Sequence, residues 1–153
     1  MSSIWFWTLR SLQPLMDDPY SRVDYRRMVA WPERIRREAP FLKKILERFP
    51  TQSVIDLGCG TGEHSRFLAE EGFNVVGLDR SEAMLDKATD QALPENLSFV
   101  LGEIQEVNQK VQERFGAAIS LGNTLVHLKT ESALETGFNT LGHIIENTGV
   151  LLF

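Results

Sequence analysis

Short apolar runs alternate with amphipathic stretches along most of the chain, which predicts an α/β fold: a doubly wound parallel sheet of about five strands with N-terminal helices. Two further observations narrow this. The first apolar run, Val54, Ile55 and Leu57 around Asp56, passes through glycines at alternate positions, Gly58, Gly60 and Gly62, into a helical segment. The second run ends on an acid, Asp79, where an open α/β sheet presents its ligand site.

Composition bounds the class. With 42% apolar and 24% charged residues, 153 residues suffice for one soluble-type core. A net charge of −5 gives no general electrostatic reason to bind nucleic acid, so none is expected as a partner. Nine of the 16 Lys and Arg fall between Arg22 and Arg48 and read as a solvated helix face rather than a polyanion site. No apolar stretch approaches the roughly 18 residues of a membrane span, so no membrane association is expected. The first residues lack the basic n-region and long h-region of a signal peptide. The single cysteine, Cys59, excludes an internal disulfide and fits a reducing, cytoplasmic location. It reads as a small residue filling a tight loop, not as a nucleophile.

Taken in order, residues 1–16 are aromatic without a clear period. They are either a docking arm or a non-native extension ahead of the organised sequence. Residues 17–50 read as N-terminal helices. Val23, Met28 and Val29 allow a short helix over 21–29, which ends at Trp31 because the residue before proline avoids the helical region. Pro32 opens a helix over 33–38, Pro40 interrupts or restarts it, and Phe41, Leu42, Ile45, Leu46 and Phe49 mark an amphipathic helix ending near Pro50.

Residues 51–153 form the sheet. After the first strand and glycine loop comes a helix over 63–71, then a second strand over 74–78. Ser81 is the N-cap of a helix over 82–91 whose apolar face begins with Met84 and Leu85. Residues 97–101 make the third strand. The run 116–121, apolar as a central parallel strand should be, makes the fourth. A helical stripe of Leu134, Phe138, Leu141, Ile144 and Ile145 spans 131–147, and 149–153 starts a fifth strand.

The chemistry gathers at one end of these strands. A strand running through glycines into a helix brings backbone N–H groups against a ligand. Asp56 beside that loop would repel a pyrophosphate and attract an ammonium or a sulfonium. Asp79, about 20 residues past the loop, is placed to accept hydrogen bonds from ribose hydroxyls. Met84 reads as core, with packing on an adenine ring as its second reading. Asn123 and His127 follow the fourth strand and fall on the side of the glycine loop. His127 reads as a satisfied, partly buried histidine or as a general base. The dinucleotide fingerprint needs a glycine at position 63, where glutamate stands, and no P-loop lysine follows. No His/Cys cluster has metal-ligand spacing, so no metal is expected.

Asp56, Gly58, Gly60 and Gly62 reproduce motif I of the class I S-adenosylmethionine-dependent methyltransferases, Asp/Glu-x-Gly-x-Gly-x-Gly, and the chain resembles that family from about Tyr20 onward. Within it, residues 121–128, Leu-Gly-Asn-Thr-Leu-Val-His-Leu, are similar to the segment after strand 4 of the glycine and sarcosine N-methyltransferase group. The resemblance implies a Rossmann-like fold with S-adenosylmethionine as cofactor. The methyl group would pass by in-line displacement to a small-molecule acceptor, an amine as first choice. It implies cofactor contacts from Asp56, Gly58, Gly60, Gly62, Asp79, Met84, Leu121 and Glu103, the last at the adenine amine. By similarity to the N-terminal helices that those enzymes fold over the donor, Tyr25, Trp31 and Arg37 would lie near its methionine end, the arginine pairing with the carboxylate. Arg34 and Arg36 are rivals for that role.

The Asn/Asp-Pro-Pro-Tyr motif of nucleic-acid amino methyltransferases is absent. The sequence also lacks the usual C-terminal strands of the family, which build much of the acceptor pocket, so it is expected to be truncated after strand 5. The alternative reading is therefore a catalytically incomplete donor-binding fragment that needs a partner chain. A homo-oligomer through the exposed strand-5 edge is one such arrangement.

Overall fold

A strand without a polar face must be covered on both sides, and the central strands meet this by pairing into one sheet with helices packed on each face. The computed structural model describes residues 24–49, 51–122 and 124–153. Strands β1 (Ser53–Leu57), β2 (Asn74–Asp79), β3 (Leu97–Leu101), β4 (Phe115–Ile119) and β5 (Ile145–Leu152) lie in the order β3-β2-β1-β4-β5, all parallel. Successive side chains alternate between two cores. Ile55 and Leu57 join Val76, Leu78 and Leu141 on one face, while Val54 joins Leu46, Leu68 and Val75 on the other. The chain leaves β1 for β2 on one side and returns to β4 on the other, which opens a crevice at their carboxyl ends. The expected doubly wound sheet is what forms.

Helices α1 (Tyr25–Met28), α2 (Trp31–Leu46), α3 (Glu63–Glu70), α4 (Glu82–Ala88), α5 (Val107–Lys110) and α6 (Glu131–Ile144) supply the cover. Among the described residues no helix is long and apolar enough to cross a membrane. The predicted arm over 1–16 and Asn123 lie outside the described residues.

Two expectations are corrected and one stretch gains structure. Pro40 neither interrupts nor restarts the N-terminal helix, because α2 runs unbroken through it. Both Pro40 and Arg36, whose carbonyl loses its partner four residues on, are exposed, so water takes the missing bond while Trp31, Leu42 and Leu46 stay buried. The stretch between β3 and β4, for which the sequence predicts no element, is partly helical. A turn of 3-10 helix (Ile104–Glu106) and α5 bury Ile104, Val107 and Val111 against α6, a spacing of three and four that marks a helical face. The last helix stops at Ile144, and β5 begins four residues before the predicted 149. Its pairing jumps from Phe115 with Ile145 to Ala117 with Val150, a bulge that the apolar stripe through Ile145 conceals.

Candidate functional site

The glycine loop after β1 folds back on its own sheet. Gly58, Gly60 and Gly62 have φ of 73°, 57° and 80°, a region costly for other residues. Gly62 is the N-cap of α3, where a Cβ would stand 2.6 Å from the Phe99 ring. At Gly60 a Cβ would meet only Tyr25, at 3.9 Å, because this glycine faces open space. The loop's N–H groups are not bare, contrary to expectation. Those of Gly58 and Cys59 donate to the Leu78 carbonyl, that of Gly62 to the Cys59 carbonyl, and that of Gly60 to Asp79. A loop that spends three donors on the end of β2 and one on itself is a close-fitting floor rather than a phosphate cradle.

Asp79 organises the second side. Its Oδ2 accepts from Gly60 N at 2.7 Å and its Oδ1 from Ser81 N at 2.9 Å. An ionised carboxylate offers about four acceptor positions, so both oxygens keep capacity for a ligand. The Ser81 hydroxyl accepts from Met84 N at 3.2 Å, starting α4 and setting the buried Met84 on the wall.

The space between these elements is a cavity of about 270 Å³ at the carboxyl ends of the strands. The structure brings Tyr25, Gly58, Gly60, Asp79, Met84, Glu103, Leu121 and His127 of the predicted residues to its wall. Ile104 and Leu128 add apolar surface, Met28 comes from α1, and Arg80 and Thr124 add polar groups. Sequence reasoning missed these five. Arg80 and Ile104 had a usable signal, since each directly follows a residue already assigned to a strand's carboxyl end.

Four predicted residues lie off the cavity. Gly62 is turned under Phe99 and Ala88. Arg37 is exposed, and Arg34 and Arg36 pair with Glu38 and Glu33 on their own helix. Asp56 does not reach the ligand side. It is buried, accepts from the Ser65 hydroxyl at 2.7 Å, and burial pushes its carboxyl up to about 6. Trp31 is buried in the joint between α2 and α3, with the His64 ring edge-on at 5.3 Å and the Arg34 guanidinium 5.0 Å above it. In the same joint the buried His64 places Nε2 2.8 Å from Glu38 Oε2. Burial pushes the Glu38 carboxyl upward, but the hydrogen bonds from His64 and Arg34 overcome it and hold it below its usual range. These residues fasten α2 to the helix behind the glycine loop. Burial pushes the Cys59 thiol well up, as suits a filler rather than a nucleophile.

A model of the methyltransferase domain matches residues 54–149, from β1 into β5. The chain belongs to the methyltransferase domain family. The glycine/sarcosine N-methyltransferase of Aphanothece halophytica is 33% identical over 127 residues, which make up 82% of this chain and 48% of that protein. The trans-aconitate 2-methyltransferase of Deinococcus radiodurans is 47% identical over 76 residues, 47% of this chain and 29% of that protein. Among solved structures, the CcbJ methyltransferase from Streptomyces caelestis superimposes with a TM-score of 0.62 at 27% identity, covering 76% of this chain and 47% of that one. The class I methyltransferase resemblance and the Rossmann-like sheet are thereby borne out. The chain spans about half the length of the glycine/sarcosine N-methyltransferases it matches.

Proposed function

We propose that the cavity binds S-adenosylmethionine, and that the protein passes its methyl group to a small-molecule acceptor, an amine first. One observation carries this reading: a methyltransferase-family glycine loop and the Asp79 carboxylate converge on a single cavity that the apolar Met84, Ile104, Leu121 and Leu128 also line. The acceptor groups on the wall suit the cofactor. Asp79 has acceptor capacity for the ribose hydroxyls and Glu103 for the adenine amine. Met84, Ile104 and Leu121 offer flat apolar surface to a base, and Gly60 leaves room for close approach opposite Tyr25. When bound, the cofactor supplies an electrophilic methyl group on a sulfonium. The chain's own residues then align, exclude water and manage one proton. His127, half-buried on the wall after β4, is the candidate base for the proton of an amine.

The glycine/sarcosine relatives support the amine, and the trans-aconitate relative keeps a small carboxylic acid as the rival acceptor. A second reading, a donor-binding module completed by further chain or by a partner, is favoured by β5. Among the described residues this strand is paired on one side only, and Leu151, Phe153 and Phe138 are exposed beside it.

The test is transfer of a labelled methyl group from the cofactor to a panel of glycine, sarcosine, other small amines and trans-aconitate. Label in the amines is the expected result. Label in the carboxylate alone overturns the choice of acceptor, and donor binding with no transfer to any acceptor selects the second reading.

A further inference from the structure

Helix α1 forms one wall of the cavity, with the Tyr25 ring tilted against Trp31 at 6.2 Å and little of its own structure to hold the rest in place. It is four residues long, none of them buried, and so short a helix does not hold itself in water. Tyr25 and Met28 nevertheless line the cavity, and Met28 is 66% exposed at its rim. These two share one face at a spacing of three.

Between them stands Arg26. Its Nε donates to Glu63 Oε1 at 3.0 Å and its Nη1 to Asp90 Oδ2 at 2.8 Å. Its Nη2 donates to the Lys87 carbonyl at 2.6 Å and, at 3.5 Å, to the Thr61 carbonyl. One planar guanidinium therefore reaches the glycine loop, the first turn of α3 and the end of α4, of which the loop and α4 also line the cavity through Gly58, Gly60 and Met84. Only a fork with several fixed donors spans such a set.

We propose that Arg26 is a positioning residue that pins α1 across the cavity and holds Tyr25 and Met28 as its wall. It touches no ligand, and its effect on binding passes through Tyr25 and Met28. The pin rests on the donor-binding reading for its ligand but not for its mechanics, so two kinds of measurement test it.

Titration with S-adenosylhomocysteine reads the first. Arg26→Ala loosens binding by about tenfold, and Arg26→Lys restores only part, because an ammonium cannot reach all four acceptors. In a Tyr25→Ala background the further Arg26→Ala change costs clearly less than in the parent, a coupling that general loss of stability would not produce. Amide hydrogen exchange without ligand reads the second. In Arg26→Ala the Val29 N–H, bonded to the Tyr25 carbonyl at 3.1 Å, exchanges faster while the β1 amides do not change. Unchanged affinity in Arg26→Ala, or the same loss with and without Tyr25, overturns the proposal. If the unaltered chain binds no S-adenosylhomocysteine, the donor reading fails by itself. Exchange at Val29 then decides for the pin if it quickens and against it if it does not.

Discussion

The carboxylate of Asp79 accepts a hydrogen bond from the Gly60 backbone N–H at 2.7 Å. This bond joins the end of β2 to the loop after β1, two neighbouring parallel strands whose carboxyl ends flank the cavity. Through its other oxygen Asp79 also receives the Ser81 N–H, one step before α4. One acid thus shapes the floor, starts the neighbouring helix and faces the proposed ribose position.

Asp79→Ala should therefore weaken S-adenosylhomocysteine binding by about 1–3 kcal/mol and also lower the unfolding midpoint. Calorimetric titration beside a denaturation curve checks both. A variant with unchanged affinity would remove Asp79 from the site.

The glycines separate binding from folding. Gly60→Val puts a branched side chain into the cavity and should abolish donor binding, on top of the stability cost of its positive φ. Gly62→Ala presses a methyl group on the Phe99 ring, away from the cavity, and should cost about 1–3 kcal/mol of stability. Titration and denaturant unfolding of the two variants distinguish the effects. The reverse pattern would mean that the loop faces the other way.

Asp56 makes a pH prediction. Its folded carboxyl, at about 6, lies above its ordinary 3.8. Between those values the folded state holds the proton more than the unfolded state does, so this group lowers stability as pH rises through that window and adds no slope above it. Asp56→Asn, which keeps an oxygen for the Ser65 hydroxyl, should be more stable than the parent at pH 8, by up to about 3 kcal/mol. The difference should vanish near pH 4. Thermal unfolding of both chains across pH 4–8 measures it, and a constant difference would show that Asp56 does not titrate there.

The joint between α2 and α3 should matter for stability more than for chemistry. Glu38→Ala leaves the buried His64 without its carboxylate partner and should cost about 1–3 kcal/mol in unfolding experiments. Because the Glu38 carboxyl is held below its usual range, its contribution is present at neutral pH and is lost as pH falls through that lowered value. A full loss of donor binding in a stable Glu38→Ala chain would place this joint in the site instead.

The sheet was legible because a parallel strand buried on both faces leaves an apolar run, as in Val54–Leu57 and residues 116–121, and because glycine and acid positions mark strand ends. Local signals failed where tertiary packing decides. Pro40 sits on the wet side of α2, a fact no local rule contains. Asp56 reads as a ligand-side carboxylate until Ser65 is seen to hold it inward. Trp31, which the resemblance places near the donor, and Arg34, a rival of Arg37 for its carboxylate, are occupied with His64 and Glu38. Arg26 was one of nine clustered cations in the sequence, and only the fold shows its four acceptors on three elements.

Calorimetric titration of the 153-residue chain with S-adenosylhomocysteine, with NAD as control, tests the donor site most directly. Saturable binding of S-adenosylhomocysteine without binding of NAD is the predicted result. A folded chain that binds NAD instead, or neither compound, would contradict it.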